Sequence, residues 1–282
     1  MTTNGRPATG QERIAAAFAR AKARHVAALM PYYTLGYPDR ETSLAVVGAI
    51  AGESDLLELG VPFSDPLADG PTIQHSTQQA LAVGTTSARC LEMVAELRRR
   101  GVETPVLLMG YYNPILAYGE EAYVRDAASA GADGFIVPDL PVEEAGPLEA
   151  LASGAGLALV HMLAPTSDPR RVATVASRAR GFIYMVSLTG VTGAQAGLDE
   201  RLREFVAGVR RQASVPVAVG FGIKTPEDAA IIGKDADGVV VGTALCNAIG
   251  DSLENGAATS RTVAAVTALV ESLAEGVRRA RS

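Results

Sequence analysis

The chain has 282 residues, 48% of them hydrophobic, which is enough to fill a large core in one or two domains. Its 25 basic and 31 acidic residues give a net charge of −6, which argues against a nucleic-acid-binding surface. The two cysteines, Cys90 and Cys246, are far apart and indicate a reducing cytosol rather than a disulfide framework. No apolar run reaches the roughly 18 residues that span a bilayer, so we expect a cytoplasmic protein.

The N-terminal segment divides into two parts. Residues 1–11 are predicted to be a disordered tail, which lacks the apolar core of a secretory signal. Residues 12–24 are rich in Arg and Ala and predict a helix that covers one end of the domain. The alternative interpretation of this composition is an organelle transit peptide.

Apolar runs alternate with amphipathic segments along the rest of the chain. Several runs are continuous in Val, Ile or Leu, as in parallel strands buried on both faces. The predicted strands are residues 25–30, 55–59, 105–109, 134–137, 157–163, 182–187, 215–219 and 238–241. The predicted helices are residues 40–51, 87–100, 120–130, 142–152, 168–177, 199–213, 225–232 and 259–281.

Helix-capping signals support these boundaries. Thr225-Pro226 and Asp168-Pro169 are typical of helix starts, and Gly131 and Gly181 lie where helices should end. Eight strands alternating with eight helices, without a linker, predict a single-domain (β/α)8 TIM barrel over residues 12–282, with an extra N-terminal helix. The alternative, an open doubly wound sheet, is weaker because no G-x-G-x-x-G motif follows the first strand.

Glu58 stands inside the apolar run of the second predicted strand. Alternation places its side chain on the opposite face from Leu57 and Leu59, and both faces of a barrel strand are shielded from water. Burial raises the pKa of an unpaired carboxyl, and a raised pKa suits general acid–base catalysis near neutrality. The alternative is a structural Glu that pairs with an Arg or caps backbone amides.

Asp65 and Asp69 follow in a loop too rich in Pro and Gly to be helical. Because barrel active sites form at the carboxyl ends of strands, Asp69 and Glu58 are candidates to divide acid and base roles. The alternative is turn formation, for which Asp-Pro and Asp-Gly are common pairs.

Two glycine loops, residues 220–223 and 242–244, follow the seventh and eighth predicted strands and lead into helices. Such loops let backbone amides approach an anion at a helix N-terminus, and they form the usual phosphate site of this fold. Simple turn glycines are the alternative. After the sixth strand, residues 189–197 contain three glycines and predict either a mobile lid or an ordinary connection. Tyr184, within that strand, points either into the site or into the core.

Other chemistries fit poorly. Among the three lysines only Lys224 lies near a strand end, which disfavours a Schiff-base aldolase. His25, His75 and His161 lack metal-ligand spacing, so no metal site is predicted. His161 is expected to be a core histidine with its hydrogen bonds satisfied.

Residues 56–74 resemble the signature of the tryptophan synthase alpha family almost residue for residue. Residues 31–36, 111–114, 138–144, 187–193 and 220–223 are similar to other segments of that family, so the resemblance covers nearly the whole chain from about Ala15. It implies a barrel lyase that cleaves indole-3-glycerol phosphate into indole and glyceraldehyde 3-phosphate without a metal or organic cofactor.

The resemblance also implies roles for individual residues. Glu58 becomes the acid–base group, Asp69 the carboxylate at the indole N1, and Tyr184 a neighbour of Glu58. Thr192 belongs to the closing loop. The phosphate would lie against Gly193, Gly222, Gly242 and Thr243, and the indole would be enclosed by Tyr32, Met109, Tyr111 and Phe221.

A partner is implied as well. The family's alpha subunit docks on a beta subunit that contains pyridoxal phosphate, in an alpha2-beta2 tetramer. By this resemblance Asp65, Pro66, Asn113 and Pro141 face the partner, and pyridoxal phosphate does not belong to this chain. Partner binding is then expected to influence the loops after strands 2 and 6.

The chain departs from the family at three positions. Leu188 and Gln195 stand where arginine is frequent, which weakens the positive field near the phosphate, and Tyr32 replaces the more usual Phe. Three alternatives stay open: another phosphosugar barrel enzyme such as an isomerase, an inactive barrel that activates a partner, and a lyase that releases indole without a partner.

Overall fold

The computed structural model describes residues 8–186, 200–220 and 222–280, and of Arg201 it describes only the backbone. Within these residues eight parallel strands close into a barrel in sequence order, which confirms the predicted fold. The strands are β1 (Ala28–Thr34), β2 (Leu57–Gly60), β3 (Val106–Met109), β4 (Gly134–Ile136), β5 (Ala158–Leu163), β6 (Ile183–Val186), β7 (Val217–Gly220) and β8 (Gly238–Val241).

Twelve α-helices lie in the described part of the chain. They are α1 (Gly10–Ala23), α2 (Arg40–Ile50), α3 (Pro71–Ala82), α4 (Ser87–Arg99), α5 (Tyr112–Tyr118), α6 (Glu120–Ala130), α7 (Gly146–Gly154), α8 (Pro169–Arg178), α9 (Glu200–Gln212), α10 (Pro226–Asp235), α11 (Thr243–Ser252) and α12 (Thr262–Arg279). The predicted ranges contain no counterpart of α3, α5 or α11; after the eighth strand they place a helix only at residues 259–281. None of the helices in this part of the chain is long and apolar enough to cross a membrane.

The first strand differs from its prediction. His25 lies in a turn with φ 57°, and β1 begins only at Ala28 and continues through Pro31 to Thr34. Proline is tolerated there because β1 changes partners at that point: Pro31 is the last residue opposite β8, and the pairing with β2 starts at Tyr32. Tyr32 therefore belongs to the barrel wall and not to a loop above it.

Helix α1 covers the amino-terminal end of the barrel. Thr9 caps it in a capping box with Glu12, and the Phe18 ring packs on Phe182 with centroids 5.5 Å apart. The helix begins at Gly10, two residues before its predicted start at residue 12. Gly10 is required there, because a Cβ atom would lie 2.3 Å from the carbonyl oxygen of Asp133.

Asp133 is a buried carboxylate at the same end of the barrel. It accepts hydrogen bonds from Arg13 Nε and Arg98 Nη2, each at 2.7 Å, and from the Val106 amide, also at 2.7 Å. This full set of partners is what structural burial of a carboxylate requires. Asp133 therefore provides a standard of comparison for the other buried acidic groups.

The prediction for His161 is wrong in one respect. The residue is buried, as expected, but its Nε2 atom has no hydrogen-bond partner among the described residues, and the Glu149 carboxylate lies 3.8 Å from it. Glu149 instead pairs with Arg178. Burial lowers the pKa of His161, which keeps the imidazole neutral beside this ion pair.

Candidate active site

A cavity opens at the carboxyl ends of the strands, with a volume of about 130 Å³. Its walls come from strands, from the loops that follow them and from the first turns of α3 and α11. The lining residues are Tyr32, Glu58, Ile73, Met109, Tyr184, Gly220, Gly222, Ile223, Val240, Gly242 and Thr243. Both predicted phosphate loops, the predicted acid–base group and two of the predicted indole contacts thus meet at one place.

Glu58 points into this cavity and is only 2% exposed. Within the described residues Glu58 forms no ion pair, in contrast to Asp133. The alternative of a structural Glu that pairs with an Arg is therefore not supported by these residues. Burial is the main cause that raises the pKa of Glu58 to about 8, and the charge of Asp69 raises it further. A hydrogen bond from Tyr184 acts in the opposite direction. Glu58 is therefore largely protonated at neutral pH.

Two tyrosines cross the cavity, and each lies over a glycine. A Cβ atom on Gly60 would lie 2.2 Å from the Tyr32 hydroxyl, and one on Gly220 would lie 2.6 Å from the Tyr184 hydroxyl. Glycine at both positions makes room for rings that reach inward from β1 and β6. Tyr184 is thus directed into the site, where its hydroxyl contacts Glu58, and not into the core away from it.

Asp69 is held in the loop between β2 and α3. Its amide donates to Pro66 O at 3.2 Å, and its carbonyl accepts from Gln74 Nε2 at 2.9 Å. Burial raises the pKa of Asp69 to about 6, while a hydrogen bond from Tyr111 lowers it. Asp69 is therefore mostly ionised at neutral pH, beside a largely protonated Glu58.

Tyr111 supports this loop. Its hydroxyl accepts a hydrogen bond from the Ala68 amide at 2.9 Å and donates to the Asp69 carboxylate, while its ring lies 5.5 Å from that of Phe63. Tyr111 is not among the residues that line the cavity. The resemblance implies a place for Tyr111 in the indole pocket. In this structure Tyr111 lies behind Asp69 and orients the Asp69 carboxylate.

The opposite side of the cavity is formed by backbone. Gly242 caps α11 without any side-chain hydrogen bond, so the first amides of this helix are not covered by a capping side chain. Gly222, with φ 35°, follows β7 on the same side. The described lining residues include no Lys or Arg. Recognition of an anion there depends on amides, the Thr243 hydroxyl and the helix dipole.

Several predicted site residues are not among those that line this cavity. Thr192, Gly193 and Phe221, and with them Leu188 and Gln195, lie outside the described residues. Asp65 is exposed and Pro66 half-buried in the connection after β2, Asn113 is exposed in the first turn of α5, and Pro141 is half-buried after β4. The expected partner-facing residues therefore share the barrel end with the cavity.

Sequence reasoning missed three apolar residues of the site. Ile73, Ile223 and Val240 line the cavity, although none was singled out. Ile223 is the last residue of the predicted glycine loop 220–223, and Val240 lies two residues before the loop 242–244, so their positions could have indicated them. Ile73 belongs to a helix that was not predicted, and nothing in its local sequence distinguishes it from an ordinary core residue.

The closed parallel barrel, the two carboxyls that form no ion pair among the described residues, and the glycine-capped helix start at one end define a (β/α)8 barrel enzyme for a phosphorylated substrate. A family model described as tryptophan synthase alpha chain matches residues 18–278. The tryptophan synthase alpha chain of Chloroflexus aggregans is 47% identical over 268 residues, which cover 95% of this chain and 98% of that relative. That of Geobacter sulfurreducens is 50% identical over 234 residues, or 83% and 88% of the two chains.

Solved structures agree with the sequence comparison. The tryptophan synthase subunit alpha of Legionella pneumophila superposes with a TM-score of 0.86 at 37% identity, covering 94% of this chain and 98% of that one. The chain belongs to the tryptophan synthase alpha chain family. Members of this family are carbon–carbon lyases of tryptophan biosynthesis that cleave indole-3-glycerol phosphate, and that is the reaction of this chain.

Proposed function

We propose that Glu58 and Asp69 divide the acid–base chemistry of indole-3-glycerol phosphate cleavage. Breaking the bond between indole C3 and the glycerol carbon requires a proton at C3 and removal of a proton from the adjacent hydroxyl. A protonated Glu58 delivers the first proton and, as a carboxylate, accepts the second. The positive charge that develops on the indole nitrogen is stabilised by the ionised Asp69.

One observation carries this proposal: two carboxyl groups at the same barrel end have different environments. Glu58 is almost fully buried and its pKa is about 8, whereas Asp69 is half-buried and its pKa is about 6. At pH 7 one group is mainly an acid and the other mainly an anion, as the two roles require. The hydroxyl of Tyr184 supports Glu58, and Tyr111 supports Asp69.

For the described residues, further roles follow from their positions in the cavity. The phosphate would bind Gly222, Gly242 and Thr243, where α11 begins, and the indole would lie between Tyr32 and Met109. By the family resemblance alone, Thr192 and Gly193 would belong to a closing loop and Phe221 would contact the indole. No organic cofactor or metal is needed, because the proton transfers use only carboxyl groups.

A beta subunit is the proposed partner, in an alpha2-beta2 tetramer. A structure of Mycobacterium tuberculosis tryptophan synthase superposes on this chain with a TM-score of 0.84 at 35% identity. Asp65, Pro66, Asn113 and Pro141 would contact the partner, which would contain the pyridoxal phosphate and receive the indole. Leu67 supports a contact there, because its apolar side chain is 90% exposed in the same loop. Residues 12–282 would form the catalytic domain, and the chain would work in the cytoplasm.

The first experiment measures indole release from indole-3-glycerol phosphate by the purified chain. Glu58→Gln and Asp69→Asn are each expected to lower kcat by about 10²- to 10⁴-fold, because each removes one of the acid–base or electrostatic groups. Asp65→Asn is the matched control, since it neutralises an exposed carboxylate four residues from Asp69. Near-normal turnover in both site variants, with both folded, would contradict the assignment.

The second experiment adds a cognate beta subunit. Complex formation and a faster indole release are expected, and substitution of the exposed Leu67 by Asp should weaken the complex while leaving the rate of the isolated chain close to normal. If the two chains neither associate nor change the rate, the chain acts as a lyase without this partner.

A further inference from the structure

A row of three buried hydroxyl groups leads from the cavity to helix α3; we refer to Tyr32, Thr34 and Ser76 as the hydroxyl relay. The Tyr32 hydroxyl lies 3.2 Å from Thr34 Oγ1, and Thr34 Oγ1 lies 2.7 Å from Ser76 Oγ. Ser76 Oγ lies 2.8 Å from the carbonyl oxygen of Ile73 in the first turn of α3. Thr34 and Ser76 are each only 1% exposed, so water does not replace these contacts.

The relay has a direction, which follows from proton counting. A carbonyl oxygen can only accept, so Ser76 donates its single proton to Ile73. Ser76 must then accept from Thr34, and Thr34, having used its own proton, must accept from Tyr32. The second lone pair of the Ser76 oxygen faces the thiol of Cys246, whose sulfur lies 3.8 Å away and donates weakly.

The relay ends in the first turn of α3, which also holds Asp69. Ile73 lines the cavity, and its carbonyl is the final acceptor of the relay. In the same turn, Gln74 donates from its amide to Gly70 O at 3.0 Å and from its side chain to the carbonyl of Asp69 at 2.9 Å. The first turn of α3 therefore holds the loop residue Asp69, and the relay fastens that turn to β1.

We propose that Ser76 is a positioning residue for Asp69. Its hydrogen bond with Thr34 ties the first turn of α3 to the barrel wall beside Glu58. Neither Ser76 nor Thr34 touches the cavity, so their effect is on geometry and not on the reacting atoms. The proposal rests on the proposed role of Asp69. It also assigns the Tyr32 proton to Thr34, so that Tyr32 does not donate to the substrate.

The kinetic test uses Ser76→Ala, Thr34→Val and the double variant. Each single variant is expected to lower kcat for indole release roughly tenfold, because small misplacements of a catalytic group are costly, with KM within about twofold of wild type. The double variant should be no slower than the slower single variant, because all three lose the same Thr34–Ser76 bond. Full multiplication of the two single effects would overturn the relay.

The chain offers a matched control pair far from the site. Ser252 and Thr262 are also buried, their hydroxyl groups lie 2.8 Å apart, and Ser252 likewise donates to a carbonyl three residues earlier, that of Ile249. Ser252→Ala and Thr262→Val should therefore lower the thermal midpoint about as much as the relay variants do. Their kcat should stay close to wild type, and a loss as large as that of the relay variants would contradict a role specific to Asp69.

Hydrogen exchange supplies a readout that does not depend on catalysis. Amide exchange in residues 67–80 should become faster in Ser76→Ala and Thr34→Val and stay unchanged in the control pair. A fall in kcat without faster exchange, or faster exchange without a fall in kcat, overturns the positioning role. If wild type releases no indole, the proposed function of the site fails, and exchange alone then decides whether the relay holds the Asp69 segment.

Discussion

The Tyr184 hydroxyl donates a hydrogen bond to the Glu58 carboxyl across the interior of the barrel, and this contact lowers the pKa of Glu58 against the rise that burial causes. The two residues come from β6 and β2, which lie opposite each other in an eight-stranded closed barrel. Glu58 is thus connected to the far wall by a single hydroxyl. Its acidity depends on that contact, on burial and on the charge of Asp69.

Replacement of Tyr184 by Phe should move the acidity of Glu58 in a defined direction. Without the hydroxyl, the carboxylate form loses a donor, so the pKa of Glu58 rises further above 8 and the alkaline limb of the kcat/KM profile moves to higher pH. We expect turnover to fall by about one order of magnitude, because a positioned donor is lost. The measurement is the pH profile of indole release, and Tyr33→Phe is the control.

Tyr33 is a suitable control because, like Tyr184, it is a buried tyrosine of a barrel strand. It lies on β1, and its hydroxyl donates to the Tyr37 carbonyl away from the site. Its loss should change stability but not the alkaline limb. A shift of that limb to lower pH in Tyr184→Phe would show that the hydroxyl does not stabilise the Glu58 carboxylate.

The wild-type profile of kcat/KM against pH should be bell-shaped. Activity requires an ionised Asp69 and a protonated Glu58, so it should rise through an apparent pKa of about 6 and fall through one of about 8. Because the groups interact, these values belong to the pair. Residual activity of Asp69→Asn should lose its acidic limb, and its alkaline limb should move to lower pH because the charge that raises the pKa of Glu58 is gone. A flat profile from pH 5 to about 9 would contradict both roles.

The same pKa values predict how stability changes with pH. The folded state holds the Glu58 proton up to about pH 8, whereas the unfolded chain releases it near the ordinary value of 4.5. Between these values the folded state binds more protons, so this contribution to stability is complete below pH 4.5 and is lost as pH rises toward 8. Glu58→Gln should therefore gain in stability relative to wild type across that window, by an amount on the order of a few kcal/mol.

Denaturant unfolding of wild type and Glu58→Gln at pH 5, 7 and about 9 measures this difference. The control is Glu53→Gln, which alters an exposed carboxylate far from the site and should show no such trend. A difference between Glu58→Gln and wild type that stays constant over the whole range would mean that Glu58 is not held protonated by the fold.

The barrel and the two carboxyl groups were predictable because each leaves a strong local signal. Alternating apolar runs identify strands, and Glu58 is conspicuous because a carboxyl within such a run has no ordinary packing role. Asp69 is identified by the family resemblance of its loop. The capping residues Asp168 and Thr225 were also predicted correctly, since their contacts are local.

The support behind those groups could not be predicted, because it depends on distant contacts. Ser76 lies in a helix that was not predicted, and its significance appears only once β1 is seen to continue to Thr34. With the strand placed at residues 25–30, Tyr32 would have stood in a loop above the barrel. The position of Tyr111 behind Asp69 likewise follows from a hydrogen bond between two separate loops.

Gly220 offers a test of whether the direction of Tyr184 matters. A Cβ atom at this position would lie 2.6 Å from the Tyr184 hydroxyl and 3.0 Å from its ring, so Gly220→Ala should push the ring away from Glu58. We expect turnover to fall at least as far as in Tyr184→Phe, because the hydrogen bond is lost and the displaced ring narrows the cavity. The alkaline limb of the pH profile should move in the same direction as in that variant.

Gly48→Ala is the matched control, since this glycine lies within α2 and a Cβ atom there meets nothing within 4 Å. It should stabilise the protein by about 0.5–1 kcal/mol, because alanine loses less backbone entropy in a helix than glycine does. Its kinetics should match wild type. If Gly220→Ala kept both the wild-type rate and the wild-type alkaline limb, Tyr184 would have room to move without consequence, and its contact with Glu58 would not set the acidity of that carboxyl.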